Sequence, residues 1–306
     1  MQNILLATDG SKSAEVAAEF LAHLPHRDKV ELTVVTVIEI PSIDRAYPMS
    51  EWMLKSMERE HAYARESFAK IEQMFAGANV NLRHLIREGD RGVSIVQVAR
   101  ELSAGLIVLG ARGHSLVGRI LLGSTSEFVA THAHCSVLVV RPRPTPAPDR
   151  PLRIAIGYEA TPSAQAALEE FLETGWGHQT EVDLVAVISF SSGIAYQIER
   201  DPESIIQIAT TANQSALIRL HQDVPQAEPH VIESTHVSEG LVTFVETRQS
   251  DLLIVGETPR HFLGRALMGS VTRYVVRHAP CSVWITRNRV IRDLGFANET
   301  STQGDT

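Results

Sequence analysis

Between Leu106 and Arg141 the sequence reads LIVLGARGHSLVGRILLGSTSEFVATHAHCSVLVVR, and three of its glycines, Gly110, Gly113 and Gly123, bracket one loop. Gly123 is followed at once by Ser124, Thr125 and Ser126. Fixing a glycine costs conformational entropy, so glycines grouped in this way point to a demand on the backbone. A phosphate makes such a demand. Gly110 would turn the chain sharply off a buried strand, and Gly113 would let backbone approach a ligand with no Cβ in the way. Gly123 and Ser124 would open a helix whose free amides and positive dipole end attract anions. The hydroxyls of Ser124, Thr125 and Ser126 add donors. Arg112 and Arg119 add positive charge, with plain solvation the alternative for each, and His114 lies in the same loop. Asp9, in ATDGS, would repel a phosphate but suits a ribose hydroxyl, as in dinucleotide sites. Together these residues fit a nucleotide. Neither GxGxxG nor GxxxxGK followed by Ser or Thr is present, so this is neither a dinucleotide fingerprint nor a Walker loop.

Strands and helices must hold these groups, and the chain carries the same set twice. THAHCSVLVVR, beginning at Thr131, matches RHAPCSVWITR, beginning at Arg277. LIVLGARGHSLVGRILLGSTS faces LLIVGETPRHFLGRALMGSVT, and ILLATDGSKSA faces IAIGYEATPSA. A repeat of this length reads as two domains, residues 1–141 and 152–287. Between them, residues 142–151 alternate proline with other residues and read as a stiff linker. Residues 288–306 end in NETSTQGDT and read as a disordered tail.

Within each copy strands alternate with helices. Ser11 is the expected cap of the first helix; in the second copy Thr161 caps and Pro162 takes the first helical position. A long helix from about Glu51 to Ala76 sets Ala64, Phe68, Ile71 and Phe75 on one face. The strands are continuous Val, Ile and Leu runs, as strands buried on both faces of a parallel sheet require. Each copy is therefore expected to be a doubly wound α/β sandwich with a parallel five-stranded sheet. With strand order 3-2-1-4-5, the ligand crevice falls where strands one and four diverge, and Asp9 meets Gly110 there.

Composition narrows the classes of function. The 306 residues carry 44% apolar and 21% charged side chains, which describes a globular protein large enough for two cores. A net charge of −8 argues against a general nucleic-acid binder. MQNILLATDG lacks a signal-peptide pattern and no apolar run reaches bilayer length, so the expectation is a cytoplasmic protein with no membrane partner. Cys135 and Cys281 occupy matching places before the last strand, which favours packing over redox chemistry. His132 and His134 lie close together, but the second copy keeps only His278, so no metal site is assigned.

At the loop, at ATDGS and at the closing strand the sequence resembles the universal stress protein family in its tandem two-domain form. That family's ATP motif is G-x2-G-x9-G followed by Ser or Thr, and Gly110, Gly113, Gly123 and Ser124 satisfy it. The resemblance implies sheets of the adenine-nucleotide alpha-hydrolase-like kind, packed through their closing strands as an intrachain pseudo-dimer. It implies ATP, with or without Mg2+, or another adenine nucleotide as ligand, with Val37 at the adenine and Thr8 beside Asp9. A nucleotide-dependent stress-response regulator or binding module is the function it suggests. A slow ATPase or adenylate-handling enzyme is one alternative, and a scaffold with a vestigial site is another. No catalytic residue is assigned: Asp9, the nearest acid, belongs at the sugar, away from the γ-phosphate. Protein partners and pairing of whole chains into a homodimer stay open. The second copy runs Gly256, Pro259, Gly269, Ser270, with Tyr158 and Glu159 opposite Thr8 and Asp9. Proline removes an amide and adds a ring, so this site is expected to be empty or differently filled.

Overall fold

A computed structural model describes residues 3–24, 29–39, 51–112, 122–142, 150–176, 180–189, 202–257, 260–262 and 265–287. Gly113, His114, Arg119, Pro259, linker residues 143–149 and the tail 288–306 lie outside the described residues. The first half runs β1 (Asn3–Thr8), α1 (Lys12–His23), β2 (Val30–Ile38), α2 (Glu51–Met74), β3 (Val80–Glu88), α3 (Arg91–Glu101), β4 (Leu106–Gly110), α4 (Ser124–His132) and β5 (Ser136–Val140). The second runs β6 (Leu152–Gly157), α5 (Pro162–Thr174), β7 (Thr180–Ser189), α6 (Pro202–Leu220), β8 (Glu228–Ser234), α7 (Val237–Thr247), β9 (Leu252–Gly256), β10 (Arg260–Phe262), β11 (Arg265–Leu267), α8 (Ser270–His278) and β12 (Ser282–Thr286). Local chemistry sets the helix starts. Ser11 Oγ accepts the Ala14 N–H, Thr161 Oγ1 accepts the Ala164 N–H, and Pro162 occupies the first helical position where no intrahelical amide is needed. At the far end of α5, Gly175 adopts the left-handed conformation (φ 70°) that closes the helix.

The sheet order is β3-β2-β1-β4-β5-β12-β9-β6-β7-β8. Each half is parallel in the expected 3-2-1-4-5 order, and β5 and β12 join the halves through the one antiparallel pairing in this sheet. The expected pseudo-dimer is thus a single ten-stranded sheet. Leu5 and Leu6 are both fully buried although they point to opposite faces, because helices cover both. One core layer, with Leu6, Val34, Leu138, Phe171 and Trp284, lies under α1, α2, α5 and α6. The other, with Leu5, Val35, Ile107, Val137 and Ile285, lies under α3, α4, α7 and α8. On α2, Ala64 and Ile71 are buried and Phe68 is partly so, and Phe75, just past the end of the helix, is buried as well. His84 on edge strand β3 stacks on Phe68 at 4.5 Å and meets Thr36 at 3.0 Å, and burial lowers its pKa. The β10–β11 hairpin, absent from the sequence expectations, lies beside α4 of the first half. Among the described residues no helix is long and apolar enough to cross a membrane.

The seam between the halves has a pseudo-twofold pattern. Val137, Leu138 and Val139 pair with Ile285, Trp284 and Val283. The Arg141 amide donates to Ser282 Oγ at 3.2 Å, and the Arg287 amide donates to Ser136 Oγ at 2.8 Å. Each arginine then reaches into the other half. The Arg287 guanidinium donates to the Ala130 and Ala133 carbonyls at 2.6 and 3.1 Å, at the end of α4. Arg141 donates to the Val276 and Arg277 carbonyls at 2.6 and 3.0 Å, at the end of α8. Helix C-termini present unpaired carbonyls and the negative dipole end, so a cation there is doubly favoured. Arg277 and Glu127 add an ion pair across the seam.

A seam of buried apolar strands and exchanged arginines should not need the linker. Cleavage between residues 143 and 149 should leave the two halves co-eluting on a sizing column at micromolar concentration. Separate elution would refute the seam as the dominant contact.

Candidate functional site

Strands β1 and β4 are neighbours, in register from Ile4 opposite Leu106 to Leu6 opposite Val108, and their chains leave in opposite directions. A crevice of about 200 Å³ opens beyond their carboxyl ends, the place where open α/β sheets receive ligands. Its apolar wall comes from Ala7, Val35, Ile95 and Leu109, and its polar rim from Thr8, Asp9, Arg112 and the start of α4. Of the residues expected from the sequence, Thr8, Asp9, Val37, Gly110, Arg112, Gly123, Ser124, Thr125 and Ser126 all line this crevice. Gly113 and His114 lie outside the described residues.

The rim is organised by short-range hydrogen bonds. Asp9 Oδ1 accepts the Ser11 N–H at 3.0 Å, and Thr8 Oγ1 accepts the Gly10 N–H at 3.1 Å, so both side chains brace the turn from β1 into α1. Opposite them, Gly123 is the N-cap of α4 and no side chain caps it. Among the described residues the N-terminal amides of α4 have no side-chain acceptor, and the helix dipole adds its positive end. The Gly123 amide itself donates to the Ala111 carbonyl at 2.8 Å, which fixes the direction in which α4 starts. Ser126 is 4% exposed and its Oγ donates to the Gly110 carbonyl at 2.8 Å. This hydroxyl ties α4 to the end of β4, whereas Ser124 and Thr125 stand nearer the helix mouth.

Gly110 has a different reason from the expected sharp turn. Its φ is not in the left-handed region, but a Cβ there would lie 2.6 Å from the Ser13 carbonyl oxygen and 2.7 Å from its carbonyl carbon. The first turn of α1 packs directly on the strand end, and only hydrogen fits between them. Gly256 repeats the arrangement, with an added Cβ 2.5 Å from the Ser163 carbonyl carbon. The first motif glycine thus survives in both copies because the fold needs it, independently of any ligand.

Sequence reasoning missed Arg91 and the apolar wall. Arg91 begins α3, lines the crevice, and pairs with Glu39 at 3.0 Å. Its clue was Asp90, whose side chain accepts the Val93 N–H at 2.9 Å and so starts α3 beside the strand ends. In the second half Tyr158 stands where the first half has Thr8. Its ring is buried in the core layer with Ala164 and Ala167, and its hydroxyl donates to Gln165 at 3.1 Å. His132 and its repeat counterpart His278 bond the Phe128 and Tyr274 carbonyls at 2.9 and 2.8 Å and stack on those rings. Among the described residues one group, Asp183, Glu228 and His230, has ligand-like spacing, and Arg248 already bridges both acids at 2.9 and 3.2 Å. Cys135 and Cys281 are buried, and burial pushes the Cys135 thiol up to about 11.

Two outcomes follow from this geometry. Gly110→Ala and Gly256→Ala should each destabilise the protein by about 1–3 kcal/mol, the usual cost of overpacking. Denaturant melts would measure it, and a neutral Gly256→Ala would remove the packing account. For Cys135 the neutral thiol is the form the fold favours, so its contribution is intact below the ordinary thiol range and is lost as pH climbs towards 11. Alkylation at pH 8 should accordingly be at least about a hundredfold slower in the native state than in denaturant, since the folded thiol sits about two pH units higher. Equal rates in the two states would overturn this.

Known proteins supply a comparison for the whole chain. The family model described as "Universal stress protein family" matches twice, over residues 1–141 and 152–287. A Staphylococcus aureus (strain USA300) relative carrying the same family name is 33% identical over 153 residues, 49% of this chain and 90% of that protein. Among solved structures, a universal stress protein from Archaeoglobus fulgidus DSM 4304 aligns over 94% of this chain and 98% of its own, with TM-score 0.65 and 17% identity. A Pseudomonas aeruginosa UCBPP-PA14 protein given the same family name aligns over 94% of this chain and 93% of its own, with TM-score 0.60 and 13% identity. At those identities the likeness is one of fold.

Proposed function

The chain belongs to the universal stress protein family, and from that premise we propose that it is a stress-response protein that binds ATP in the crevice of its first half. The observation that carries this reading is the meeting of Asp9 with the uncapped start of α4 across an apolar wall. Each part suits one part of the ligand. The N-terminal amides of α4, with Ser124, Thr125 and Arg112, suit phosphates. The Asp9 carboxylate, which accepts the Ser11 amide and stands on the polar rim, suits a ribose hydroxyl. Val35, Val37 and Ile95 offer an apolar surface of the kind an adenine ring covers.

The same residues favour retention over turnover. Asp9 is the only carboxylate among the described lining residues, and it is committed to the turn and assigned to the sugar. A general base near the γ-phosphate is therefore missing from the described wall. ATP is proposed as a regulatory ligand, and a phosphate-release assay, run with and without Mg2+, should register negligible turnover. Rapid release would favour the enzyme reading.

Calorimetric titration of nucleotide-stripped protein tests the site itself. Asp9→Asn, which keeps an acceptor for the Ser11 amide, should weaken ATP by about 1.5–3 kcal/mol, the range of a charged hydrogen bond. Gly123→Val should abolish binding in the first half by putting a branched side chain at the helix mouth. Wild-type affinity in both variants would sink the assignment, and so would mass spectrometry that finds no nucleotide after saturation.

A further inference from the structure

We infer that the residue following the last β4 or β9 glycine decides which half takes a phosphate: Glu257 is a built-in anion that fills the second site, and Ala111 leaves the first one open. The inference rests on the nucleotide reading of the first crevice and extends it to the chemistry that separates the two copies.

In the second half Glu257 is 8% exposed and stands at the mouth of α8. Its Oε1 accepts the Gly269 N–H at 2.6 Å, and Gly269 is the N-cap of α8, with the same place in the repeat as Gly123. Its Oε2 accepts Arg287 Nε at 3.2 Å and pairs with Nη2 of the same guanidinium. A carboxylate held between a helix N-cap amide and a buried guanidinium has the partners that a bound phosphate would use. No outside anion can use them while Glu257 does.

The first half has the cation without the anion. Arg141 is the repeat counterpart of Arg287, is also 8% exposed, and makes the matching bonds to helix carbonyls in the other half. Its Nε, the edge that in Arg287 faces the carboxylate, is buried with no hydrogen-bond partner among the described residues. The counterpart of Glu257 is Ala111, which offers the Gly123 amide only a backbone carbonyl. Desolvation and the nearby Arg112 charge both lower the Arg141 pKa, and among the described residues the buried Nε edge has no hydrogen-bonded acceptor. Such an edge is costly and gains from an incoming anion. A phosphate, on a nucleotide or free in solution, is the class of ligand with enough oxygens to serve an arginine edge and helix amides together. The repeat therefore carries one self-neutralised copy and one that waits for its anion.

Exchange of the two residues in the full chain tests this, with inorganic phosphate and ATP as separate probes. Glu257→Ala should melt several degrees below wild type, because Arg287 loses its carboxylate. Added phosphate should restore much of that loss and give the wild type a distinctly smaller increment. Calorimetry should find one more phosphate site in this variant than in wild type. Ala111→Glu should melt no lower than wild type, since the new carboxylate pairs with Arg141, and should weaken ATP at least about tenfold, as for loss of a charged hydrogen bond. If Glu257→Ala does not fold, Ala111→Glu decides alone. A melting temperature well below wild type in Ala111→Glu, ATP affinity unchanged there, or no extra phosphate response in Glu257→Ala would each overturn the inference. Response to phosphate without response to ATP would assign the site to the free anion. Wild type that binds no ATP would remove the nucleotide reading and leave the stability exchange to be judged by itself.

Discussion

The pairing of β5 with β12 is the contact on which the rest of the molecule depends. A parallel sheet buried on both faces still ends in an edge, and an apolar edge such as VLVV or VWIT invites association with any other strand. Here each half closes the other's edge. The antiparallel direction follows from a twofold relation between the copies, and that relation brings the C-terminus of α4 to Arg287 and of α8 to Arg141. Charge, helix dipole and strand pairing therefore agree at one seam. Trp284, fully buried opposite Leu138 and 5.5 Å from Trp176, fills the centre of it.

The same seam links the first-half crevice to Glu257. Arg287 holds the α4 terminus with part of its guanidinium and Glu257 with the rest, so the second half's anion is wired to a helix that begins at the first half's proposed phosphate site. Helix α4 is only nine residues long. Its N-terminus faces the crevice and its C-terminus meets the other half, which puts both ends under electrostatic control. A tandem chain can use such an arrangement in a way that two identical subunits cannot, because its copies are free to diverge. Alanine at 111 against glutamate at 257 is one such divergence, and only the glutamate bonds the N-cap amide of its half through a side chain.

Retention of a sequence feature in both copies separates structure from ligand binding. Gly110 and Gly256 are both present, and both face a serine backbone that leaves no room for a Cβ. Ser136 and Ser282 are both present, and both cap the seam by accepting the opposite arginine's amide. Asp9, by contrast, faces Glu159, and Thr8 faces Tyr158, whose ring joins the core. These shared features build the sandwich, while Thr8 and Asp9, which differ between the copies, stand at the crevice.

The sequence by itself determined the five β/α steps of each half, the repeat and the place of the first crevice, but not the β10–β11 hairpin. Ser11, Thr161 and Pro162 act within one helical turn of themselves, so their roles are readable from neighbours in the chain. Continuous apolar strands in alternation with helices require a parallel sheet covered on both faces, and the strand order then brings Asp9 to Gly110. The tertiary structure decided what depended on long-range approach. Arg91 enters the crevice only because α3 crosses beside the strand ends, and the Ser126 hydroxyl is committed to the Gly110 carbonyl 2.8 Å away. The partners of Glu257 are distant in the chain, at Gly269 and Arg287, and nothing in GETPR announces that its carboxylate will turn towards them. Propensity and periodicity act over a few residues, whereas the choice of partner for a buried charge is made by whatever the fold packs against it.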